Sequence, residues 1–550
     1  MFAARLVGVT SSPKETAQIA SVLGRDFRYE LLRAVSNKPE SVVRADIREL
    51  ATASLIYQRR SARTETYFFK HALLRDTAYE SMVRATRQPL HVRVANTLRE
   101  RFPEVERTQP EVLALHFERG GQLEQSLAYW SKAGTLAMTR GAYVESIRHL
   151  EGGLSLLERL PMSLPATERE LELRTALNVG LIATNGYGAE SVERNCSRAQ
   201  NLCVQLGDAP QLMPALYGLW TYHLLRDHRR SPLELAERIQ QIARSPEHVL
   251  IATATRGITA YFMGELSTAM DYLERATALY DIGHQRALAR GFGEDAALLA
   301  PLYRMWCLFH LGRLDEARAH QQRVETLVAK VASPYLTATS MVFAMLLGLS
   351  LEDVDMTREY ADAVIALAME QRFPFFLSTG TCGRGWTKIA GGDVASGIAD
   401  ITQGLAVLKL TGAVVARSYW LACIAEGHLR VGDTAAGLAT VDEGLALSEG
   451  NLNRLQDPWL HRLRGELLLL SGDHGAAERS LRTAATLART AGDKPFELRA
   501  VTSLARLLRS QGKSTAARPL LAAVYGSFSE GLEARDLRAA RALLDTLLRN

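Results

Sequence analysis

A short turn motif returns every 40 residues along the second half of this 550-residue chain. Its copies stand in register at Gly312-Arg313, Glu352-Asp353, Gly392-Asp393, Gly432-Asp433, Gly472-Asp473 and Gly512-Lys513. Five residues beyond each copy comes a small residue: Ala317, Thr357, Gly397, Gly437, Ala477 and Ala517. A fixed period of this length is typical of stacked supersecondary units rather than of one globular core. The sequence therefore predicts a repeat protein, and stacked repeats form long binding surfaces.

Each repeat is predicted to be a pair of helices joined by the motif. In one copy, apolar periodicity places the first helix from about Ala416 to Arg430 and the second from about Thr434 to Ser448. Gly432 can adopt positive φ and end the first helix, and Asp433, or Thr434 beside it, can cap the second. Small residues recur where the two helices approach, because a bulky side chain there commonly costs about 1–3 kcal/mol.

These features resemble the tetratricopeptide repeat. That family has small residues at matching places in both helices and a Gly before a polar residue between them. The units here exceed its usual length of about 34 residues. The large aromatic expected early in the first helix is replaced by Leu421, His461 and Val501. The resemblance implies an all-α superhelix of helical hairpins, whose first helices line a concave groove.

In the tetratricopeptide family, certain positions of the first helix face the groove. By spacing, they correspond here to three sets of residues, each with members 40 positions apart, which we call ladders. The first is Thr379, Tyr419, Trp459 and Arg499; the second is Cys382, Ala422, Arg462 and Thr502; the third is Trp386, Glu426, Glu466 and Arg506. Aromatic residues and Arg are favoured at binding hot spots. The candidate partner-binding residues are Tyr419, Trp459, Arg499, Arg462, Trp386, Glu426, Glu466 and Arg506. The alternative is that these aromatics pack between repeats and the charges are only solvated.

The first 85 residues have a different pattern. Short helices are followed by two predicted strands, Leu55 to Arg60 and Thr66 to Lys70, around a polar turn. This order predicts a small winged-helix-like domain, followed by one long helix from Tyr79 to Arg101. We therefore expect three regions: 1–85 winged-helix-like, 86–230 irregular helical pairs, and 231–550 the repeat superhelix.

Composition limits the partners that we expect. The net charge of +5 is small for this length, so nucleic acid is not an expected partner. The five cysteines form no Cys-x-x-Cys pair, which favours a reducing cytoplasm. The longest apolar run, Met341 to Leu351, is too short to span a bilayer, so we expect no membrane association.

We expect no catalytic, cofactor-binding or metal-binding residues in this chain. Gly512-Lys513-Ser514-Thr515 looks like the end of a phosphate-binding loop, but Leu507 stands where that loop needs a Gly. No Cys or His set has the spacing of a metal site. The sequence therefore favours a binding protein over an enzyme.

Longer stretches are similar to the region that follows the ATPase core in bacterial STAND-type signalling proteins. They are residues 15–32, Tyr67 to Tyr79, Tyr129 to Gly134, Gly186-Tyr187-Gly188 and Pro519 to Leu544. In many such proteins a class III adenylate/guanylate cyclase domain and a P-loop ATPase come first. We expect both domains to be absent here, as in a truncated product or a protein whose catalytic half is encoded separately.

The resemblance implies a non-catalytic interaction and sensor scaffold. Its expected partners are a protein segment or small effector in the groove, and a separately encoded ATPase or cyclase. The alternative is a DNA-linked transcriptional regulator of the same class. That alternative requires the winged-helix-like unit and the basic helix from Arg84 to Arg101 to hold DNA.

Overall fold

The short motif that recurs every 40 residues forms the turn between the two helices of a pair. The computed structural model describes residues 9–60, 65–161, 163–207, 211–226, 228, 230–281, 283, 288, 291–293, 296–449 and 451–548. Gly residues at the motif positions have φ between 74° and 97°, as seen in Gly312, Gly392, Gly432, Gly472 and Gly512. Glu352, the one copy without Gly, has φ of 55° at the same place. A left-handed residue here ends the first helix of every pair, which explains the regular Gly.

The chain forms two compact units, Met1–Leu173 and Arg174–Asn550. The predicted boundaries near residues 85 and 230 stay predictions. The helices of the first unit that the structure describes are α1 Ser11–Leu23, α2 Tyr29–Val35, α3 Glu40–Thr52, α4 Ala72–Glu80, α5 Arg84–Arg101, α6 Pro103–Thr108, α7 Pro110–Arg119, α8 Leu123–Thr139 and α9 Tyr143–Leu157. Helix α10, Leu164–Asn185, contains the residues where the two units join in sequence.

A three-stranded antiparallel sheet accompanies the first helices. Its strands are β1 Asp26–Arg28, β2 Ile56–Arg60 and β3 Glu65–Phe69, in the order β1-β3-β2. The predicted β2–β3 pair is present, and the residues of its polar turn, 61–64, lie outside the described residues. Strand β1 was not predicted, because its three residues bury only Phe27 and are too few for an alternating pattern to stand out in the sequence.

The prediction of one long helix from Tyr79 to Arg101 is wrong. Helix α4 ends at Glu80 and helix α5 begins at Arg84. Between them the Ser81 hydroxyl donates to the Ala78 carbonyl oxygen at 2.7 Å, and Val83 has extended φ and ψ of −70° and 157°. A Ser side chain that bonds to the backbone competes with helix continuation, and a residue in the extended region interrupts the helix.

Two buried histidines form a chain of hydrogen bonds in the first unit. The Tyr79 hydroxyl lies 2.9 Å from His91 Nε2, and His91 Nδ1 lies 2.9 Å from His116 Nδ1. Burial is the main cause that lowers the pKa of His91 to about 4 and of His116 to about 3. Nearby Arg119 lowers both values further. Both rings are therefore neutral in the folded chain at pH 7.

We expect this pair to make the first unit sensitive to acid. Unfolded His binds a proton near pH 6.5, whereas the folded pair stays neutral until about pH 4 or below. The stability that the neutral pair contributes is therefore fully present above pH 6.5, and it is lost as the pH falls towards 4. The variant His116→Gln should lose about half of this dependence, measured as the unfolding midpoint against pH. Replacing the exposed His71 by Gln is the control, and an equal effect of both variants would contradict the assignment.

The second unit is an all-α stack of helical hairpins, which confirms the predicted repeat architecture. In its described residues the helices are α11 Glu190–Gln205, α12 Leu212–Leu225, α13 Ser231–Ile242, α14 Pro246–Phe262, α15 Leu266–Leu279, α16 Leu299–His310, α17 Leu314–Val331, α18 Pro334–Ser350, α19 Val354–Gln371, α20 Pro374–Ala390, α21 Val394–Leu410, α22 Arg417–Val431, α23 Thr434–Glu449, α24 Asp457–Leu470, α25 His474–Ala491, α26 Lys494–Ser510, α27 Ser514–Tyr525 and α28 Arg535–Leu547. The predicted cap is present: Asp433 Oδ1 accepts from the Ala436 N–H at 3.1 Å. None of the helices in the described parts of the chain has the length and apolar character needed to cross a membrane.

Glycines allow the paired helices α20 and α21 to touch. A Cβ added at Gly385 would lie 2.6 Å from the Gly397 carbonyl oxygen, and one at Gly397 would lie 2.6 Å from Ile389 Cγ1. Because the first obstacle is backbone, Gly385→Ala should destabilise the chain by about 1–3 kcal/mol in denaturant unfolding. Gly475→Ala is the matched control: its nearest obstacle is 3.6 Å away, so we expect no loss. Equal stability of the two variants would contradict the close contact.

The stack curves until early hairpins meet late ones. The N–H groups of Val414 and Val415 donate to the Leu225 carbonyl oxygen at 2.8 and 2.9 Å. Further along, His310 Nδ1 lies 2.8 Å from Asp493 Oδ2, across 183 residues of sequence. These contacts join α12 and α16 to hairpins far along the chain. The inner helix faces of the second unit therefore surround a central space.

Candidate functional site

The central space of the second unit contains a cavity of about 190 Å³. Its walls come from the first helices of successive hairpins, including α12, α14, α16, α18, α20 and α22, with one residue from α26. Of the 32 described residues that line it, 14 are Phe, Tyr or Trp, although these types make up only 7% of the chain. No Asp, Glu, Lys or Arg is among the lining residues that the structure describes. This concentration of rings in one interior space marks it as the candidate site.

The aromatic walls are packed ring against ring. Trp306 stacks on Phe343 with centroids 4.4 Å apart and an interplanar angle of 21°. Tyr303 meets the edge of Phe343 at 5.2 Å and Tyr261 at 5.3 Å. Offset-stacked and edge-to-face pairs are the preferred ring geometries, worth about 0.5–1.5 kcal/mol each beyond area burial. The walls are therefore held in place before anything binds.

A polar relay crosses one wall of the cavity. The Tyr261 hydroxyl lies 3.2 Å from His310 Nε2, and His310 Nδ1 lies 2.8 Å from Asp493 Oδ2. Asp493 is only 1% exposed. Both ring nitrogens of His310 are thus occupied, and burial raises the pKa of Tyr261 well above its usual range. The relay joins helices α14 and α16 to the N-cap residue of α26, and burial keeps the phenol protonated.

Two polar groups on lining residues have no hydrogen-bond partner among the described residues. They are Trp306 Nε1, a donor, and Gln456 Oε1, an acceptor. Gln456 as a whole is 9% exposed. An unpaired buried polar group costs about 1–3 kcal/mol, so a ligand that pairs with one would gain affinity.

The first predicted ladder reaches the cavity at two of its positions. Thr379 and Tyr419 line the cavity. Trp459 lies behind them, 3% exposed, with its ring centroid 5.5 Å from Tyr419 and 5.7 Å from Phe496. Burial raises the pKa of the Tyr419 hydroxyl, which lies 3.4 Å from Ser350 Oγ. Of the eight candidate residues, Tyr419 alone belongs to the lining.

Arg499 is held by partners of its own chain. Its Nε lies 2.7 Å from Asp536 Oδ2, and its Nη2 donates to the Ser350 carbonyl oxygen at 2.6 Å. Its guanidinium also lies 5.2 Å from the Phe496 ring centroid, and its side chain is 8% exposed. These contacts join α26 to α18 and α28.

The other charged candidates also form ion pairs, with one exception. Arg462 Nη1 lies 2.8 Å from Glu466 Oε1, and Arg430 Nη2 lies 3.0 Å from Glu426 Oε1. Arg506 is exposed. Trp386 is 2% exposed and is not a lining residue. A role of these residues in partner binding stays a prediction.

The sequence analysis missed most of the aromatic lining, although the repeat period contains a signal for it. Tyr303 and Phe343 are 40 residues apart, as are Tyr335 and Phe375. Extending the first ladder back from Thr379 leads to Thr339, which also lines the cavity. The signal was missed because apolar residues cover all sides of α18, and a helix that is apolar all round gives no facing direction.

The basic helix of the DNA-binding alternative does not present one basic face. His91 is fully buried, and Arg87 and Arg93 are half-buried. Arg84, at the start of α5, and Arg99 and Arg101, at its end, are exposed. Across the described residues, no group of three or more His, Cys, Asp or Glu could hold a metal ion.

Comparison with known proteins gives distant similarities. No protein family model matches the chain. An uncharacterized protein from Rhizobium meliloti (strain 1021) is 24% identical over 500 residues, which cover 90% of this chain and 48% of the relative. The chain thus spans about half the length of this curated relative.

Two solved structures show how distant the structural similarities are. Aspartyl phosphate phosphatase F from Bacillus subtilis has a TM-score of 0.37 and 11% identity, covering 67% of this chain and 95% of its own. A STAND protein with a tetratricopeptide repeat sensor from Pyrococcus horikoshii has a TM-score of 0.28 and 14% identity, covering 74% and 64%. Similarities this low assign neither a function nor a site.

Proposed function

We propose that the chain is a non-catalytic sensor and interaction scaffold of a bacterial signalling protein. Its second unit captures an effector in the aromatic cavity. The observation that carries this proposal is the cavity itself, whose described lining has 14 aromatic residues and no Asp, Glu, Lys or Arg. Apolar pockets with a few polar groups are the usual form of small-molecule sites.

The chemistry of the walls supports binding rather than catalysis. Burial raises the pKa of the Cys307 thiol, next to the lining residue Trp306, and of the Tyr261 and Tyr419 hydroxyls. These groups therefore stay protonated and weakly nucleophilic at neutral pH. What the cavity offers is apolar surface and hydrogen bonds.

Capture in this cavity gives the scaffold a way to signal. The lining joins helices from α12 to α26, which are far apart in sequence but adjacent here. An effector that prefers the closed arrangement of these helices shifts the population towards it. The sequence resemblance supports a cytoplasmic STAND-type setting, with an ATPase or cyclase as the partner that reads this change.

The first unit supplies the second part of the proposal. Its order of helix, strand, two helices and two strands, with an antiparallel sheet, supports the winged-helix-like assignment of residues 1–85. In this proposal the unit contacts a protein partner, because exposed Arg44 is already paired with Glu40 and Glu65 at 3.3 and 3.6 Å. Those ion pairs neutralise Arg44, one of the two arginines on α3.

Filling the cavity tests the proposal. Ala416 lines the cavity, so Ala416→Phe places a ring inside it, whereas Ala435→Phe places the same ring on an exposed helix position. A diverse fragment library of charged and neutral compounds should contain binders of wild type and Ala435→Phe that Ala416→Phe loses, measured by saturation-transfer NMR. If no fragment of any class distinguishes Ala416→Phe from the other two proteins, the proposal fails.

A further inference from the structure

We propose that the cavity of the second unit selects a neutral aromatic molecule of one or two fused rings. This inference rests on the proposed function and specifies its ligand. It excludes a peptide segment and a charged metabolite as occupants of the cavity. Four features of the lining carry it: its volume, its rings, its lack of charge and its unpaired polar groups.

The volume sets the size of the ligand. A cavity of about 150 Å³ lined by apolar side chains holds benzene. The cavity here is about 190 Å³, which adds room for a second fused ring but not for a third. Pockets that take drug-sized molecules usually have about 300–1,000 Å³. A peptide would also bring backbone N–H and C=O groups into an apolar space, where each unpaired group is costly.

The rings of the walls set the shape of the ligand. Trp306, Phe343 and Tyr303 present both faces and edges, with ring centroids within 5.5 Å of one another. A flat aromatic ligand can repeat the same offset and edge-to-face contacts, which a branched aliphatic molecule of equal volume cannot. The geometry therefore favours aromatic over aliphatic occupants.

The electrostatics exclude a charged ligand. His310 is the only basic side chain among the described lining residues, and Tyr261 and Asp493 occupy both of its ring nitrogens. Arg499, beside the lining residue Phe496, is already paired with Asp536. A carboxylate or ammonium group in the cavity would thus lose its water without gaining a counter-ion.

Gln456 favours a ligand that carries an N–H donor on its ring. Its Oε1 has no partner among the described residues, although the residue is nine-tenths buried and lines the cavity. A ligand with one N–H or O–H donor at its edge can satisfy this acceptor. A heteroaromatic ring with a single donor therefore fits better than a pure hydrocarbon.

Titration calorimetry of the full chain with four probes tests the inference. The probes are indole, benzothiophene, indole-3-acetate and 2-phenylindole. Wild type should bind indole at one site, and should bind the charged indole-3-acetate and the larger 2-phenylindole at least about tenfold more weakly. Ala416→Phe should weaken indole binding by a similar factor, whereas Ala435→Phe should not.

The hydrogen bond has its own measurement. Indole should bind about three- to tenfold more tightly than benzothiophene, which has the same shape but no N–H. In Gln456→Met this ratio should fall to about one. The ratio is taken within one protein, so a general loss of stability in the variant cancels.

The outcomes separate the inference from the proposed function. If indole-3-acetate or 2-phenylindole binds as tightly as indole, or if the benzothiophene ratio is unchanged in Gln456→Met, the selectivity proposed here is overturned. If none of the four probes binds while other fragments distinguish Ala416→Phe from wild type, the inference fails and the proposed function stands. If nothing binds in either experiment, both fail.

Discussion

Replacing Arg499 with Met should destabilise the second unit by about 3 kcal/mol. Arg499 is 8% exposed, and its removal leaves Asp536 without the guanidinium that lies 2.7 Å away. Burial raises the pKa of Asp536 and Arg499 opposes that rise, so the variant should push this pKa still higher. Breaking a buried pair by removing one partner costs about 3–5 kcal/mol, and the lower end applies because Asp536 is 25% exposed.

The measurement is denaturant unfolding followed by circular dichroism. Arg506→Met is the matched control, since Arg506 is exposed on the same helix and its loss should change stability by no more than about 0.5 kcal/mol. Equal effects of the two substitutions would contradict a structural role for Arg499. Such a result would favour the predicted role of Arg499 in binding, because its side chain would then be available to contact a partner.

Replacing Asp493 with Ala should have an effect of at least equal size, about 3–5 kcal/mol. Asp493 Oδ2 accepts from His310 Nδ1 at 2.8 Å, and its Oδ1 caps α26 by accepting from the Phe496 N–H at 3.3 Å. The side chains of Asp493 and His310 are 1% and 7% exposed. The substitution therefore leaves a buried imidazole nitrogen unpaired and also removes a helix cap.

Asp473→Ala separates the two contributions. Asp473 caps α25 by accepting from the Ala476 N–H at 2.9 Å, on an exposed turn without a buried His. Its loss should cost about 1 kcal/mol, the usual value for a cap. A double variant, Asp493→Ala with His310→Phe, should lose less free energy of unfolding than the sum of the two single variants. Each single change leaves the remaining partner unpaired, whereas the double change removes both partners. A strictly additive result would show that the relay does not join the two hairpins energetically.

The sequence was most informative where the chemistry is local. Gly432 ends one helix and Asp433 caps the next, and the structure has both features at the predicted residues. Helix ends depend on φ preferences and on side-chain bonds within four residues, which a sequence displays directly. Strand β1 and the break at Val83 were missed, since neither interrupts an apolar pattern strongly.

The sequence predicted only part of the candidate site, because the site depends on contacts between distant repeats. Tyr419 was identified from the ladder, and it lines the cavity. Trp459 and Arg499 share that ladder, but one packs behind the wall and the other is paired with Asp536. The repeat period shows which residues occupy equivalent positions, but it does not show how far the stack curves.

The amino-acid sequence by itself determined the 40-residue hairpin, its turn conformation and its all-α class, because each depends on neighbours along the chain. The tertiary structure alone decided that Leu225 meets Val415 and that His310 meets Asp493, 183 residues away. That closure creates the cavity and its aromatic walls. Small rotations between successive repeats accumulate along a stack. Whether its early and late hairpins touch is therefore a sum over all interfaces, which no single segment encodes.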